Sequence, residues 1–186
     1  MTTAPTPKLL VLVGPTGTGK TSLAVELCER VGGEIVGADS VQVYRGLNIG
    51  SAKASRESLR SVPHHMTDII DPDQSMDAAR YARLAEELIT QVAARGAIAV
   101  VVGGTGLWIR ALLRGLVQLP PVDRALRERL ERQWHEIGPE LMHSRLAQVD
   151  KRSADRIHPN DRIRVVRALE VYEQCGAPAG ELRANH

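Results

Sequence analysis

A chain of 186 residues with 43% hydrophobic content has enough apolar material for one substantial core and a small appended subdomain. Its 24 basic and 22 acidic side chains leave a formal net charge of +2, which by itself designates no polyanionic partner. No run approaches the roughly 18 consecutive apolar residues of a membrane helix, and Met1–Lys8 lacks the charged and apolar regions of an export signal. A cytoplasmic monomer with no membrane partner is expected.

Leu9–Val13 is a short continuous apolar run ending in glycine, the pattern of a strand buried on both faces of a parallel sheet. From Lys20 to Val31 the positions Leu23, Ala24, Leu27 and Val31 recur at helical spacing, and Gly32–Gly33 supplies a stop. Cys28 falls in this helix, and the only other cysteine, Cys175, falls in a later one. Neither has a partner at metal-ligand spacing, so both read as structural thiols of a reducing compartment. Glu34–Ala38 offers a second strand, completing a strand, loop, helix, strand unit of βαβ length, and hence a parallel sheet.

Farther along, Asp77–Arg95 carries Tyr81, Ala85, Leu88, Ile89 and Val92 on one helical face, with Ser75 or Asp77 placed to cap its start. It leads into Ala97–Val102, a third apolar strand that breaks into Gly103-Gly104-Thr105-Gly106. Three loops, from Gly14, Asp39 and Gly103 onward, thus leave the carboxyl ends of strands, where doubly wound sheets collect ligands. After Pro120–Pro121 strand-like runs disappear. Leu126, Leu130, Trp134 and Ile137 mark an amphipathic helix closed by Gly138–Pro139, and helical stretches follow at 141–148 and 161–174, the latter capped by Asn160 or Asp161. The expected organisation is an α/β core over 1–120, a helical insertion subdomain over 121–158, and a return helix with the chain end over 159–186.

Gly14-Pro15-Thr16-Gly17-Thr18-Gly19-Lys20-Thr21 satisfies G-x-x-x-x-G-K-[ST] between a predicted strand and a predicted helix. Glycines allow backbone N–H groups to turn toward an anion, and the helix amino terminus adds its positive dipole end. Lys20 supplies a point charge, and the Thr21 hydroxyl is a ligand for Mg2+. The fold class is therefore α/β, a P-loop NTPase-like three-layer fold with a parallel sheet and a small helical insertion. Nucleotide binding, ATP included, belongs to that class, but the loop does not name the reaction. Ala97–Val102 ends in Gly103 and not in an acid. Asp39 is the acidic strand end, and it is placed to face whatever Lys20 and Thr21 hold.

Other residues weigh less. Adjacent His64 and His65 on an extended segment point to opposite faces, and neither they nor His158 has a carboxylate or cysteine at ligand spacing, so no metal site is read there. Trp108 and Trp134 occupy apolar helical positions and read as core. Between Lys151 and Arg167 six basic residues stand against two acidic ones, a candidate polyanion contact. Arg164 and Arg167 lie three apart on one helix, while Ile163 and Val166 are expected to pack inward.

These segments, in order and spacing, resemble the tRNA dimethylallyltransferase (tRNA isopentenyltransferase) family. Besides the loop, the resemblance rests on Asp39-Ser40-Val41-Gln42-Val43-Tyr44, Ile49-Gly50-Ser51-Ala52-Lys53, Pro63-His64-His65 with Asp68-Ile69-Ile70-Asp71-Pro72, and Val102-Gly103-Gly104-Thr105-Gly106. It continues through Arg156-Ile157-His158-Pro159-Asn160-Asp161 and Arg167-Ala168-Leu169-Glu170-Val171-Tyr172. Smaller departures are Ser51, where the family commonly has Thr, and Ala54, where it commonly has Pro.

The resemblance implies that Gly14–Thr21 grips the diphosphate of dimethylallyl diphosphate, with Mg2+ at Thr21. It implies that Asp39 is the base for the exocyclic amine of the adenosine 3′-adjacent to the anticodon. It also implies tRNA contacts at Asp39, Ser40, Val41, Gln42, Thr105, Arg127, Ile163, Arg164, Val165, Val166 and Arg167. Family members usually run well beyond Tyr172 and there supply helices enclosing the donor channel and a further arginine, so a fragment or abbreviated relative is expected. The rival readings are a small-molecule kinase, an enzyme that prenylates free adenine nucleotides, and a tRNA- or nucleotide-binding fragment without turnover.

Overall fold

Two hydrophobic stripes on one parallel sheet organise the first part of the molecule. The structure, a computed structural model, describes residues 8–53, 61–117 and 119–182; Ala54 and the opening residues 1–7 lie outside the described set. By its packing the chain divides into two compact units, 1–116 and 117–186.

In the first unit the strands are β1 (Leu9–Val13), β2 (Gly33–Ala38), β3 (His64–His65) and β4 (Ile98–Gly103), with helices α1 (Lys20–Val31), α2 (Ala78–Ala94) and α3 (Gly106–Arg114). The strands pair in parallel in the order β1-β4-β2-β3. Side chains alternate across a strand, so each strand serves both faces. Ile35, Val100 and Val102 meet Ala24 and Cys28 of α1, whereas Val36, Ala38, Ala99 and Val101 meet Tyr81, Ala85, Ile89 and Val92 of α2 and Trp108 and Ile109 of α3. The result is the expected three-layer α/β arrangement.

The sequence reading of β1 is corrected by this order. Leu9–Val13 was expected to be buried on both faces, yet β4 and not β1 lies inside the described sheet, and Leu10 and Val13 are exposed. A strand paired on one side only has fewer neighbours to cover it. Leu23 and Val31, expected on the packed stripe of α1, are also exposed; the buried positions of that helix are Ala24 and Cys28.

The second unit contains α4 (Arg124–Ile137), α5 (Pro139–Val149), α6 (Lys151–Ala154), α7 (Arg162–Cys175) and α8 (Ala179–Leu182). Its core joins Leu130 and Trp134 of α4, Met142 and Leu146 of α5, and Val165, Val166, Ala168 and Leu169 of α7. The sequence reading set 159–186 apart from 121–158; in the structure α7 shares one core with the helices that precede it. Asp123 and Asp161 cap α4 and α7 by accepting from the amides of Leu126 and Arg164. Asp77 does the same for α2 through Arg80. Ile163 corrects another expectation: it is 77% exposed, because it sits on the first turn of α7, before the buried stripe begins at Val165.

Candidate functional site

A cavity of about 220 Å³ opens where β1, β2 and β4 end. It is lined by Thr16, Gly17, Gly19, Lys20 and Thr21 from the first loop, Asp39 and Gln42 after β2, Ala52, and Val102, Gly103 and Gly104 at the end of β4. Parallel strands necessarily deliver their carboxyl ends to one side, so three loops far apart in sequence meet there.

The chemistry of the cavity begins with what α1 lacks. Its N-cap is Gly19, at φ 76°, with no side-chain acceptor and no acidic residue in the first turn. A left-handed N-cap is open to glycine at little cost, and it leaves the first-turn amides of α1 pointing out with the positive end of the helix dipole. By contrast, α2, α4 and α7 each spend an aspartate on those amides. The Pro15 carbonyl accepts from Lys20 Nζ at 2.5 Å and from the Thr18 hydroxyl at 2.9 Å. Pro15 and Thr18 therefore brace the loop, and a Cβ on Gly14 would meet Thr18 Oγ1 at 3.4 Å, while Thr16, Gly17, Gly19, Lys20 and Thr21 line the cavity.

Asp39 is half-buried and lines the same cavity. Its Oδ1 accepts from the amides of Val41 at 2.8 Å and Gln42 at 3.2 Å, which fixes the position of that oxygen; Oδ2 has no partner among the described residues. Gln42 ties the next segment to the cavity lining, its Nε2 donating to the carbonyls of Ser51 at 2.9 Å and Ala52 at 3.0 Å. Lys53 secures the base of that segment, donating to the Tyr44 carbonyl at 2.7 Å and to Asp68 Oδ1 at 2.6 Å. The sequence alone assigned no role to Ala52 at the cavity; the one local sign is its place in the Ile49–Lys53 segment that carries part of the resemblance.

Thr105 stands beside the cavity as a latch. Its hydroxyl accepts from the Ser40 amide at 3.0 Å, and its own amide donates to the Ala38 carbonyl at 3.1 Å, so the ends of β2 and β4 hold together. Ser40 and Val41 are exposed at that rim.

Arg127 and residues 163–167 belong to the helical unit. Ile163 is exposed, and Arg164, 72% exposed, pairs with Asp161 at 3.4 Å. Val165 and Val166 are buried, so their side chains are withdrawn from any surface contact. Arg127 and Arg167 both grip Glu170. The basic stretch from Lys151 to Arg167 is thus partly self-neutralised, with Lys151 on Asp155 as well.

The remaining candidates have structural partners. His65 Nε2 lies 2.6 Å from Glu34 Oε2, His64 Nδ1 lies 2.8 Å from the Val62 carbonyl, and His158 Nδ1 accepts from the Asn160 amide at 3.1 Å. Trp108 stacks on Tyr81 with ring centroids 4.6 Å apart, and Trp134 lies in the helical core. Burial, reinforced by Glu34, pushes the Cys28 thiol up to about 11, which keeps it unreactive. Among the described residues no group of three His, Cys, Asp or Glu side chains could hold a metal ion, and no helix is long and apolar enough to cross a membrane.

Comparison with known proteins adds a family. The model described as IPP transferase matches residues 42–186. The tRNA dimethylallyltransferase of Desulfosudis oleivorans is 51% identical over 180 residues, covering 97% of this chain and 57% of that protein. The tRNA dimethylallyltransferase 2 of Geotalea uraniireducens is 51% identical over 179 residues, covering 96% and 58%. Among solved structures, the full-length tRNA isopentenylpyrophosphate transferase of Bacillus halodurans is similar with TM-score 0.58 and 41% identity, over 93% of this chain and 57% of that one. A eukaryotic dimethylallyltransferase acting on tRNA is similar with TM-score 0.78 and 29% identity, over 97% and 45%. The chain spans 57–58% of the two curated relatives and 45–57% of the two solved chains.

Proposed function

The chain belongs to the IPP transferase family, and from that premise we propose that its cavity is the donor site of a dimethylallyl transfer to tRNA. In this reading dimethylallyl diphosphate lies with its diphosphate on the loop. The exocyclic amine of the adenosine beside the anticodon forms a bond to the allylic carbon, the carbon–oxygen bond to diphosphate breaks, and the amine proton passes to Asp39. What supports it is the placement of one carboxylate, with an oxygen uncommitted to the described protein, in the same cavity as Lys20, Thr21 and the open end of α1. The names of the relatives supply the class of donor and acceptor.

The division of labour follows from the chemistry. An adenine amine is a weak nucleophile because its lone pair is delocalised into the ring, and a positioned base contributes about 10²–10⁴-fold. Negative charge grows on the departing diphosphate, where each well-aimed donor contributes about 3 kcal/mol. The Thr21 hydroxyl is a hard oxygen donor of the kind that suits Mg2+ held largely by phosphate oxygens; bound there, the ion would neutralise charge on the leaving group. Ser40, Val41, Gln42, Thr105, Arg127, Ile163 and Arg164 are the proposed tRNA contacts that the fold leaves at least partly accessible or at the cavity rim. Cytoplasmic placement fits the free thiols Cys28 and Cys175.

The experiment is transfer of labelled dimethylallyl to an unmodified anticodon stem-loop, with binding of inorganic pyrophosphate measured alongside. Asp39→Ala should keep pyrophosphate binding and lose transfer, and Lys20→Ala should weaken both. Normal transfer by Asp39→Ala removes the base assignment. A chain that binds neither pyrophosphate nor stem-loop, or that moves the γ-phosphate of ATP instead, overturns the reading.

A further inference from the structure

Glu170 is a fully buried carboxylate on α7 that the proposed reaction does not use. Its Oε1 accepts from the Asp123 amide at 3.0 Å and from Arg167 Nη1 at 2.8 Å, and its Oε2 accepts from Arg127 Nε at 3.1 Å and Nη2 at 2.7 Å. Arg167 Nη2 also donates to the Pro120 carbonyl at 2.6 Å. The carboxylate is thereby saturated, and two guanidiniums against one carboxylate leave the cluster a formal charge of +1.

The geometry treats the two arginines differently. The Arg167 side chain is 21% exposed with both terminal nitrogens engaged, so it backs the carboxylate. The Arg127 side chain is 34% exposed and approaches edge-on through Nε and Nη2, while its Nη1 has no partner among the described residues. Both nitrogens of that edge converge on the one oxygen Oε2, so the outer edge of Arg127, with Nη1, is turned away from the carboxylate. Burying an ion pair is often no more stabilising than packing apolar side chains in its place, so fold stability alone is a poor reason for a charge at this position.

We propose that Glu170 is a positioning residue, holding Arg127 as a preset cation for a backbone phosphate of bound RNA. This rests on the tRNA reading above. Phosphate is the chemistry that fits, since an arginine edge offered from a cluster of net positive charge recognises phosphate oxygens without reading a base.

The test turns on sign. Glu170→Gln removes a negative charge from a site that binds a polyanion, so simple electrostatics predicts tighter binding, whereas positioning predicts weaker binding despite the added positive charge. The measurement is the affinity of this chain for an unmodified anticodon stem-loop as a function of salt. The expected result is a loss of about tenfold for Glu170→Gln, and a loss of the same order for Arg127→Lys, which keeps the charge without the fork. Combining Glu170→Gln with Arg127→Ala should bind no more weakly than Arg127→Ala alone. Arg127→Lys alters a partly exposed side chain and keeps the test decisive even where Glu170→Gln lowers folding. Unchanged or tighter binding by Glu170→Gln, or wild-type affinity in Arg127→Lys, overturns the positioning role and leaves the tRNA reading standing. Absence of stem-loop binding by the unsubstituted chain overturns both.

Discussion

Asp39 is asked to do two things with two oxygens, and a pair of substitutions separates them. One oxygen closes the turn after β2 through the Val41 and Gln42 amides; the other is the proposed proton acceptor. Asp39→Asn retains an acceptor for the turn, and Asp39→Ala does not. Urea unfolding should find the Ala variant less stable by about 0.5–2 kcal/mol, by analogy with the loss of a capping side chain, and the Asn variant close to wild type. Both should lose transfer by about 10²–10⁴-fold, and an Asn variant with full transfer would confine Asp39 to the turn. Glu34 bears on stability in a different way. The Arg95 guanidinium, hydrogen-bonded at 2.8 Å, holds its carboxyl below the ordinary value of 4.5; burial opposes this and the His65 contact adds to it. A carboxyl lowered in the folded state contributes stability that is present above its unfolded pKa and lost as pH falls through the folded value. Unfolding free energy should therefore drop as the pH is taken below about 4.5, and Glu34→Gln should show a shallower drop.

The strand ends act together because β4 runs against β2 with almost no room between them. A Cβ built on Gly103 would meet the Ala38 carbonyl oxygen at 2.1 Å, so any side chain there forces the two strand ends apart. Thr105 then bonds the same carbonyl and the Ser40 amide, carrying the close approach into the loop that holds Asp39. Gly103→Ala is expected to cost about 1–3 kcal/mol through overpacking and to weaken pyrophosphate binding, since Gly103 also lines the cavity. Thermal unfolding and calorimetric titration would check the two effects separately. If the variant matched wild type in both, the contact between the strand ends would be too loose to set the cavity.

Stability across the chain is divided between separate cores. The sheet unit is held by the layers on either face of β2 and β4, and the helical unit by the cluster of α4, α5 and α7. Leu146 is fully buried in the second of these. Leu146→Ala should destabilise its unit by about 2–5 kcal/mol, read by hydrogen exchange as lost protection in α4, α5 and α7. Protection of β2 and β4 should change far less, because their cores share no residue with the helical one and sites without shared partners behave nearly independently. Equal loss in both units would show that the chain unfolds as a single block.

The local features were legible from residue order. The observed β1 and α1 coincide with the runs Leu9–Val13 and Lys20–Val31, and Asp77 and Asp161 cap the helices that their positions suggested. These depend on hydrophobic period, caps and glycines within a few residues of one another, as does the phosphate loop itself. Three strands ending on one side also follow from a parallel sheet, and so the meeting of Lys20 with Asp39 was expected. Sequence order does not settle which strand lies inside the sheet or which side of a charged helix faces a core. The insertion of β4 between β1 and β2 left Leu10 and Val13 exposed, against the expectation from their apolar run. Likewise Ile163 lies outward, Val165 and Val166 inward, and Glu170 is buried between two arginines that the resemblance gave as tRNA contacts. Such outcomes depend on partners more than forty residues away, as Arg127 is from Glu170, and a periodicity confined to one helix carries no information about them.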